Sequence, residues 1–313
     1  MSPSQDPHRK ARVAADVVCF GMIIPALVFI VDQVPEHNTG RLIEAVSEFI
    51  SDDAAIVACL LRGWNVRSGM IGTALGNDAR GRKAARTLEK LGVVGQVRLS
   101  KQISTPYEVN VSDRTGHRTF FWQRDPRVLE TLDTAALTLL EHAKLLYVDW
   151  YDGPYILRAI REANRIGVPV YLNLEHGHAD PEWVSLYAAR ASICQAVTDA
   201  AQREGDPATI ACRLLDAGVE TAIVTMAGAG CIAAQRDQRI RAFAPRVEVV
   251  DGCGAGATFS AGVIYGHLHR WGLEETIKFA TAAASLKCTT IGPRAFPLSQ
   301  IKQLARKVQI EPV

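Results

Sequence analysis

Short β-rich runs alternate with helical patterns along nearly the whole chain, and this alternation restricts the fold more than any other feature. Ala15–Phe20, Lys144–Val148, Val168–Leu174, Ala191–Val197 and Thr221–Met226 read as strands. Ala54–Leu61, Ala79–Leu91, Pro154–Ile166, Pro207–Ala217, Thr258–Arg270 and Leu273–Lys287 read as helices. Pro154 and Pro207 stand at helix starts, and Gly92, Gly167 and Gly218 stand just past helix ends. Proline suits the first helical turn, where its missing N–H is not needed, and glycine accepts the turn that follows a helix. Strand–helix–strand units need long crossovers, which build parallel sheets with helices on both faces.

Two regions break the alternation. Leu27–Val31 and Pro106–Trp122 are strand-like, and the second carries turn residues at Asp113-Arg114-Thr115-Gly116. Tyr107–Val111 and Arg118–Trp122 around that turn read as a hairpin. It is either a lid or dimer clasp, or an edge extension of the main sheet.

The balance of charges, +2 over 313 residues with 48% apolar residues, fits a soluble globular protein. It gives no drive toward nucleic acid or an anionic membrane. The first ten residues are polar and no apolar leader core follows them, so a signal peptide is not expected. The longest apolar run, Phe20–Val31, contains Gly21 and Pro25 and is too short to span a bilayer. Seven cysteines are scattered without a C-x-x-C pair, which suggests reduced thiols and a cytoplasmic protein.

Chemistry concentrates in Val249–Gly262, which reads as a strand end, a glycine-rich turn and a helix start. Gly254, Ala255 and Gly256 are small enough for backbone N–H groups to approach an anion, so they form a candidate anion hole. The glycine spacing is not that of a dinucleotide-binding turn, and no G-x-x-x-x-G-K-[ST] occurs.

Asp251-Gly252-Cys253-Gly254-Ala255-Gly256-Ala257 resembles the Asp-Thr-x-Gly-Ala-Gly-Asp signature of the ribokinase-like (PfkB) sugar kinases. Gly76-Asn77-Asp78-Ala79-Arg80-Gly81 with Leu88–Val93, Thr225–Gly230, and Ala282–Gly292 resemble three further signatures of that family. Gly21, Val28, Val31-Asp32 and Pro35 fit its first strand and lid, and Tyr147–Gly153 looks most like its ketohexokinase and sulfofructose kinase branch. The resemblance covers almost the whole chain in the same order. It implies one doubly wound, mostly parallel α/β domain over 1–313 with a small β-lid near 24–45 and 104–124, often used for homodimerisation. It also implies ATP and Mg²⁺, with Thr225, Gly228, Gly230, Asp251 and Lys287 on the nucleotide side. The implied substrate pocket holds Ala26, Asp52, Asp53 and Asn110, and the partner is a small nucleotide or sugar-like molecule.

The departures fall on the chemistry. A sugar hydroxyl needs a carboxylate to take its proton during phosphoryl transfer. At the position of the family's base stands Ala257. Ala26 stands where the family has a sugar-binding Asp, with Ile24 two residues before it. Ser51 and Asp52 replace paired glycines, and Ile56 replaces an Asn. The metal-linked Asn-x-x-Glu segment aligns with Ala196-Val197-Thr198-Asp199, and no metal site is expected. An engineered substitution would explain Ala257 alone. A base relocated to Asp251, Asp52 or Asp53 would be displaced, and displaced bases are poor. A catalytically defective member of the family, acting by binding, sensing or as a scaffold, accounts for all the losses. The alternative is an active ATP-dependent kinase for a hydroxyl of a sugar or sugar derivative.

Weaker signals remain. Glu175-His176-Gly177-His178-Ala179-Asp180 invites a metal reading, although histidines two apart share a strand face and not a helix face. Arg118, Arg124 and Arg127 read as a solvated edge or as contacts for an anionic substrate, and Trp122 as lid packing.

Overall fold

Strands that are apolar on both faces occupy the centre of the molecule. In this computed structural model, which describes residues 14–113, 118–198 and 205–313, the chain runs β1 (Val17–Gly21), β2 (Ile24–Val31), β3 (Ala45–Ser51), α1 (Asp53–Gly63), β4 (Ser68–Gly72), β5 (Leu75–Gly76), α2 (Ala79–Lys90) and β6 (Leu99–Ser100). It continues through β7 (Tyr107–Asp113), β8 (Arg118–Gln123), α3 (Arg127–Glu130), β9 (Leu145–Asp149), α4 (Ile156–Arg165), β10 (Val170–Glu175), α5 (Pro181–Leu186), β11 (Ile193–Val197), α6 (Pro207–Asp216) and β12 (Thr221–Thr225). The remainder is β13 (Cys231–Ala234), β14 (Arg239–Ala242), α7 (Ala255–Leu268), α8 (Leu273–Cys288), α9 (Leu298–Ala305) and β15 (Ile310–Pro312).

Among the described residues, nine strands form the main sheet in the order β15-β14-β13-β12-β11-β10-β9-β1-β4. From β12 to β4 the pairs are parallel, and β13 to β15 add an antiparallel edge. One core packs this sheet against α1, α7 and α8 through Leu61, Ile264 and Ile277. The opposite core packs it against α4 and α6 through Ile160 and Leu214. Burial on both faces is why these strands read as continuous apolar runs. The expected α/β architecture is therefore present.

The chain leaves β1 toward β4 on one side, then returns to β9 on the other. Such a reversal opens a crevice at the carboxyl ends of the two diverging strands, the place where open α/β sheets bind ligands.

A second sheet, ordered β3-β2-β7-β8, stands apart from the first. The hairpin expected around 107–122 is thus part of this second sheet, the one expected as a lid, and does not extend the edge of the main sheet. β2 and β7 alternate buried and part-exposed residues, as a sheet covering one face must. The lid also recruits β3, whose alternating AVSEFIS segment lies beyond the expected lid boundary at residue 45. The turn at 114–116 lies outside the described residues.

Two boundaries differ from the sequence reading for local backbone reasons. Helix α7 starts at Ala255 rather than Thr258, because left-handed Gly254 ends the turn early. The helix expected from Pro154 begins as a 3-10 turn over Trp150–Tyr155, since Gly153 (φ 60°) breaks the regular path before α4. Among the described residues no helix is long and apolar enough to cross a membrane.

Candidate functional site

The turn before α7 is built for a backbone that no other residue type accommodates easily. Gly254 has φ 75°, and a Cβ there would lie 2.7 Å from Pro293 Cγ and 3.5 Å from Ile56 Cδ1. The first N–H groups of a helix have no partner within it. Those of Ala255, Gly256 and Ala257 therefore belong to the helix start, and Gly256 leaves open space where a side chain would stand. Ala255 N–H turns back to Gly252 O at 3.2 Å. The anion hole read from the sequence is thus a glycine-shaped helix start. Ala257 is fully buried and packs into the core.

Beneath this turn lies a buried ion pair. Lys287 Nζ donates to Asp251 Oδ2 (2.9 Å), Asp251 O (2.6 Å) and Thr290 O (3.4 Å). Asp251 Oδ1 accepts from Ser112 Oγ and from Cys253 N–H, and Oδ2 accepts from Gly292 N–H. Burial acts to raise the Asp251 pKa, but the Lys287 charge and these hydrogen bonds outweigh it and hold the carboxyl below its usual value. Lys287 has all three ammonium protons directed at protein oxygens in this structure. Asp251 is a staple joining the turn, the end of α8 and lid strand β7, and its filled lone pairs leave no room to act as a relocated base.

On the expected nucleotide edge, Thr225 ends β12, and its hydroxyl faces Ala196 O at 3.4 Å. Gly230 has φ 90°, and a Cβ there would overlap Ala242 O, so this glycine serves the turn between β12 and β13. Gly228 faces open space. Of the segment aligned with the family's metal-linked motif, Ala196 is buried in the core and Asp199 lies outside the described residues.

The crevice between β1 and β9 holds an unexpected concentration of carboxylates. Asp152 lies so close to Gly21 that a Cβ on that glycine would overlap Asp152 Oδ2. Asp152 Oδ1 accepts from Met22 N–H at 3.0 Å. Asp149, at the end of β9, accepts from Tyr151 N–H at 2.8 Å. Asn173 Nδ2, on β10, has three carboxylate oxygens within hydrogen-bond reach for its two protons: Asp149 Oδ2 (2.9 Å), Asp53 Oδ2 (3.0 Å) and Glu175 Oε1 (2.7 Å). From the lid, Glu108 accepts from Ser51, Asn110 and Trp122, with Arg124 at 3.8 Å. Arg118 reaches from the lid to Gly252 O at 3.1 Å, so the lid touches the phosphate-type turn. Arg127 instead pairs locally with Asp125. Trp122 stacks on Phe120 and donates to Glu108, yet it remains 59% exposed.

Burial, then crowding, raises the pKa values of four of these aspartates. Asp53 is pushed up to about 6, chiefly by burial, with the Arg118 charge working against the shift. Asp52, Asp149 and Asp152 are raised well above the ordinary range, by burial first and then by one another's charges. Asp52 and Asp53 were legible as candidate pocket acids. Asp149 and Asp152 were not singled out as site residues. Their position at the carboxyl end of a strand beside the topological reversal is the signal that finds them, and it needs the strand order. Ala26 and Asn110 are both buried under the lid, with Asn110 committed to Glu108. His178 Nε2 lies 3.3 Å from Val197 O, at the next strand along.

Asp52 occupies a backbone conformation suited to glycine, with φ 73° and ψ 139°, and caps no N–H of α1. A non-glycine residue held there costs about 1–3 kcal/mol. Asp52→Gly is therefore expected to raise thermal stability by an amount in that range, measured by denaturant unfolding. An unchanged or lowered midpoint would show that the Asp52 carboxyl stabilises the fold through its surroundings.

A mostly parallel sheet covered by helices on both faces, with a second β-sheet beside a glycine-rich helix start, defines a protein of the ribokinase-like class. Residues 14–300 match the description "pfkB family carbohydrate kinase", and the chain belongs to that family. It is 30% identical over 100 residues to a 1-phosphofructokinase from Vibrio cholerae, covering 32% of each chain. It is 28% identical over 196 residues to the acarbose 7(IV)-phosphotransferase of Actinoplanes sp., covering 61% of this chain and 64% of that one. The matches thus span a third and just under two thirds of these relatives. The ribokinase structure from Thermotoga maritima superposes with a TM-score of 0.76 at 17% identity, over 93% of this chain and 99% of that one.

Proposed function

We propose that this protein binds a nucleotide or another phosphate-bearing ligand at the start of α7 and that phosphoryl transfer by it is severely impaired. The observation that carries this reading is Ala257, a buried methyl in the first turn of α7, together with the commitment of Asp251, the one carboxylate of segment 249–262, to Lys287. Gly254, Gly256 and the open face at Gly228 fit phosphate groups, because backbone can approach them there. The substrate wall has changed as well. Ile24 and Ala26 are buried and offer a sugar hydroxyl no hydrogen-bond partner, and burying unpaired hydroxyls is costly.

A second reading has one observation in its favour. Ile56 approaches the position of a Gly254 side chain, so the starts of α1 and α7 are neighbours, and Asp53 opens α1 beside the crevice. Asp53 would then be a relocated base in an active kinase.

A coupled ADP-release assay with ATP and Mg²⁺ over sugars and sugar derivatives decides between the two. The expected result is a stabilising thermal shift with ATP or ADP and turnover about 10²–10⁴-fold below that of a kinase with a positioned base. Turnover at ordinary kinase rates, abolished by Asp53→Asn, would overturn the first reading and establish the second.

A further inference from the structure

We propose that the ligand of the crevice joins an aromatic ring to a hydroxyl-bearing part, and that the ring packs on Phe120 and Trp122 of β8; this extends the binding role assigned to the neighbouring α7 start and rests on it. The register of the second sheet decides which side chains face the crevice. It pairs Glu108 with Trp122, Asn110 with Phe120 and Ser112 with Arg118. Residues directly opposite one another share a face of the sheet. Ser112 donates to Asp251 at 2.8 Å and Arg118 to Gly252 O at 3.1 Å, so this face looks toward the turn before α7. The Arg118 charge acts on Asp53, and that of Arg124 on Asp52 and Asp152. Phe120 and Trp122 therefore stand on the crevice side, between the two arginines.

Trp122 is nonetheless 59% exposed. Its ring centre lies 5.9 Å from that of Phe120 with the planes 10° apart. The guanidinium groups of Arg118 and Arg124 lie 5.5 and 5.4 Å from the Phe120 and Trp122 ring centres. Trp122 Nε1 is fixed by Glu108 Oε2 at 2.8 Å. Rings braced in this way have little freedom left to lose when a ligand covers them. A second, independent observation points to a ligand. Asn110 is fully buried, its Nδ2 donates to Glu108 Oε1 at 2.8 Å, and among the described residues its Oδ1 has no hydrogen-bond partner. A buried acceptor left unmet is costly, and a ligand N–H or O–H beside Phe120 would meet it.

The other polar groups of this face are engaged. Glu108 accepts from Ser51, Asn110 and Trp122, and Ser112 gives its proton to Asp251. The adjoining strand β2 presents buried Ala26 and Val28 opposite Glu108 and Asn110. Such a face suits a flat ring with one donor and not a polyol, whose several hydroxyls would go unpaired. Hydroxyls find partners across the crevice, where Asp53 and Asp149 stand. A nucleoside or an aryl glycoside divides in this way, ring on one side and hydroxyls on the other.

The test compares matched probes on the full chain by titration calorimetry: adenosine against ribose, and phenyl β-D-glucoside against methyl β-D-glucoside. Stacking on an aromatic side chain contributes about 5–150-fold in affinity per ring. At least one ring-bearing probe is therefore expected to bind about fivefold or more tightly than its ringless partner. Trp122→Leu should abolish that ratio, and Trp122→Phe should keep most of it. A merely structural role of Trp122 would weaken both members of a pair alike and leave the ratio unchanged. Should Trp122→Leu fail to fold, Phe120→Leu gives the same reading. No preference in either pair, no binding of either ring-bearing probe, or an unchanged ratio in a folded leucine variant would overturn the stacking surface. So would a dimer of the chain that covers Trp122, seen by sedimentation and dispersed by Trp122→Leu. Pyrophosphate, which has no ring, reads the α7 start separately by thermal shift, and its effect is expected to be equal in the wild-type chain and in Trp122→Leu.

Discussion

Replacing Lys287 by methionine is expected to destabilise the protein by about 3–5 kcal/mol, the cost of leaving one partner of a buried ion pair uncompensated. Both side chains are fully buried, and the carboxylate already receives three hydrogen bonds besides the lysine. Methionine fills similar space without the charge, so the loss reports on electrostatics more than on packing. The pH dependence has a definite sign. The folded pKa of Asp251 is depressed, so its contribution is present above the unfolded value near 3.9 and is lost as pH falls through the folded one. In the variant Asp251 can take a proton instead, and the gap between the two proteins should narrow toward acid pH. Denaturant unfolding at pH 7 and pH 4 checks both parts. A loss under 1 kcal/mol at pH 7 would show that the pair is not what holds the turn.

The variant Ala257→Asp is expected to raise phosphoryl transfer above the wild-type level while recovering only part of the factor of about 10²–10⁴ that a positioned base supplies. Position 257 is in the first turn of α7, where the helix start favours a negative charge. The substitution suits the local field but must bury a carboxyl where Ala257 is fully enclosed, and the substrate side limits recovery further. Ile24 and Ala26 line the lid side with apolar groups. The turnover of the variant per substrate, measured as kcat/KM on the sugar panel, checks this. Full family-like rates from the single change would show that the altered wall is of no consequence.

The legible parts of this protein were those with local causes. Proline at the starts of two helices, glycine past the ends of three, and continuous apolar strands announced a parallel α/β sheet. The glycine run at 252–256 announced an anion-type turn, because a left-handed residue and a close backbone approach leave few alternatives to glycine. Strands such as β4 and β14 were missed, since glycine, serine and arginine in them blur the apolar run. They gain their place from neighbours already in the sheet. The burial of Lys287 was not legible for a related reason: a lysine near a helix end is ordinarily solvated, and only the packing of α8 against the turn before α7 encloses it.

The sequence by itself determined the fold family, the glycine-shaped helix start and the absence of an acid at position 257, because each is a property of a residue or a short segment. Only the tertiary structure decided what the acids do. Asp53, the Asp149–Asp152 segment and Glu175 are far apart in the chain and meet because the strand order reverses between β1 and β9. Their charges interact only at that distance and in that burial, so the cluster exists nowhere in the chain until the sheet has formed.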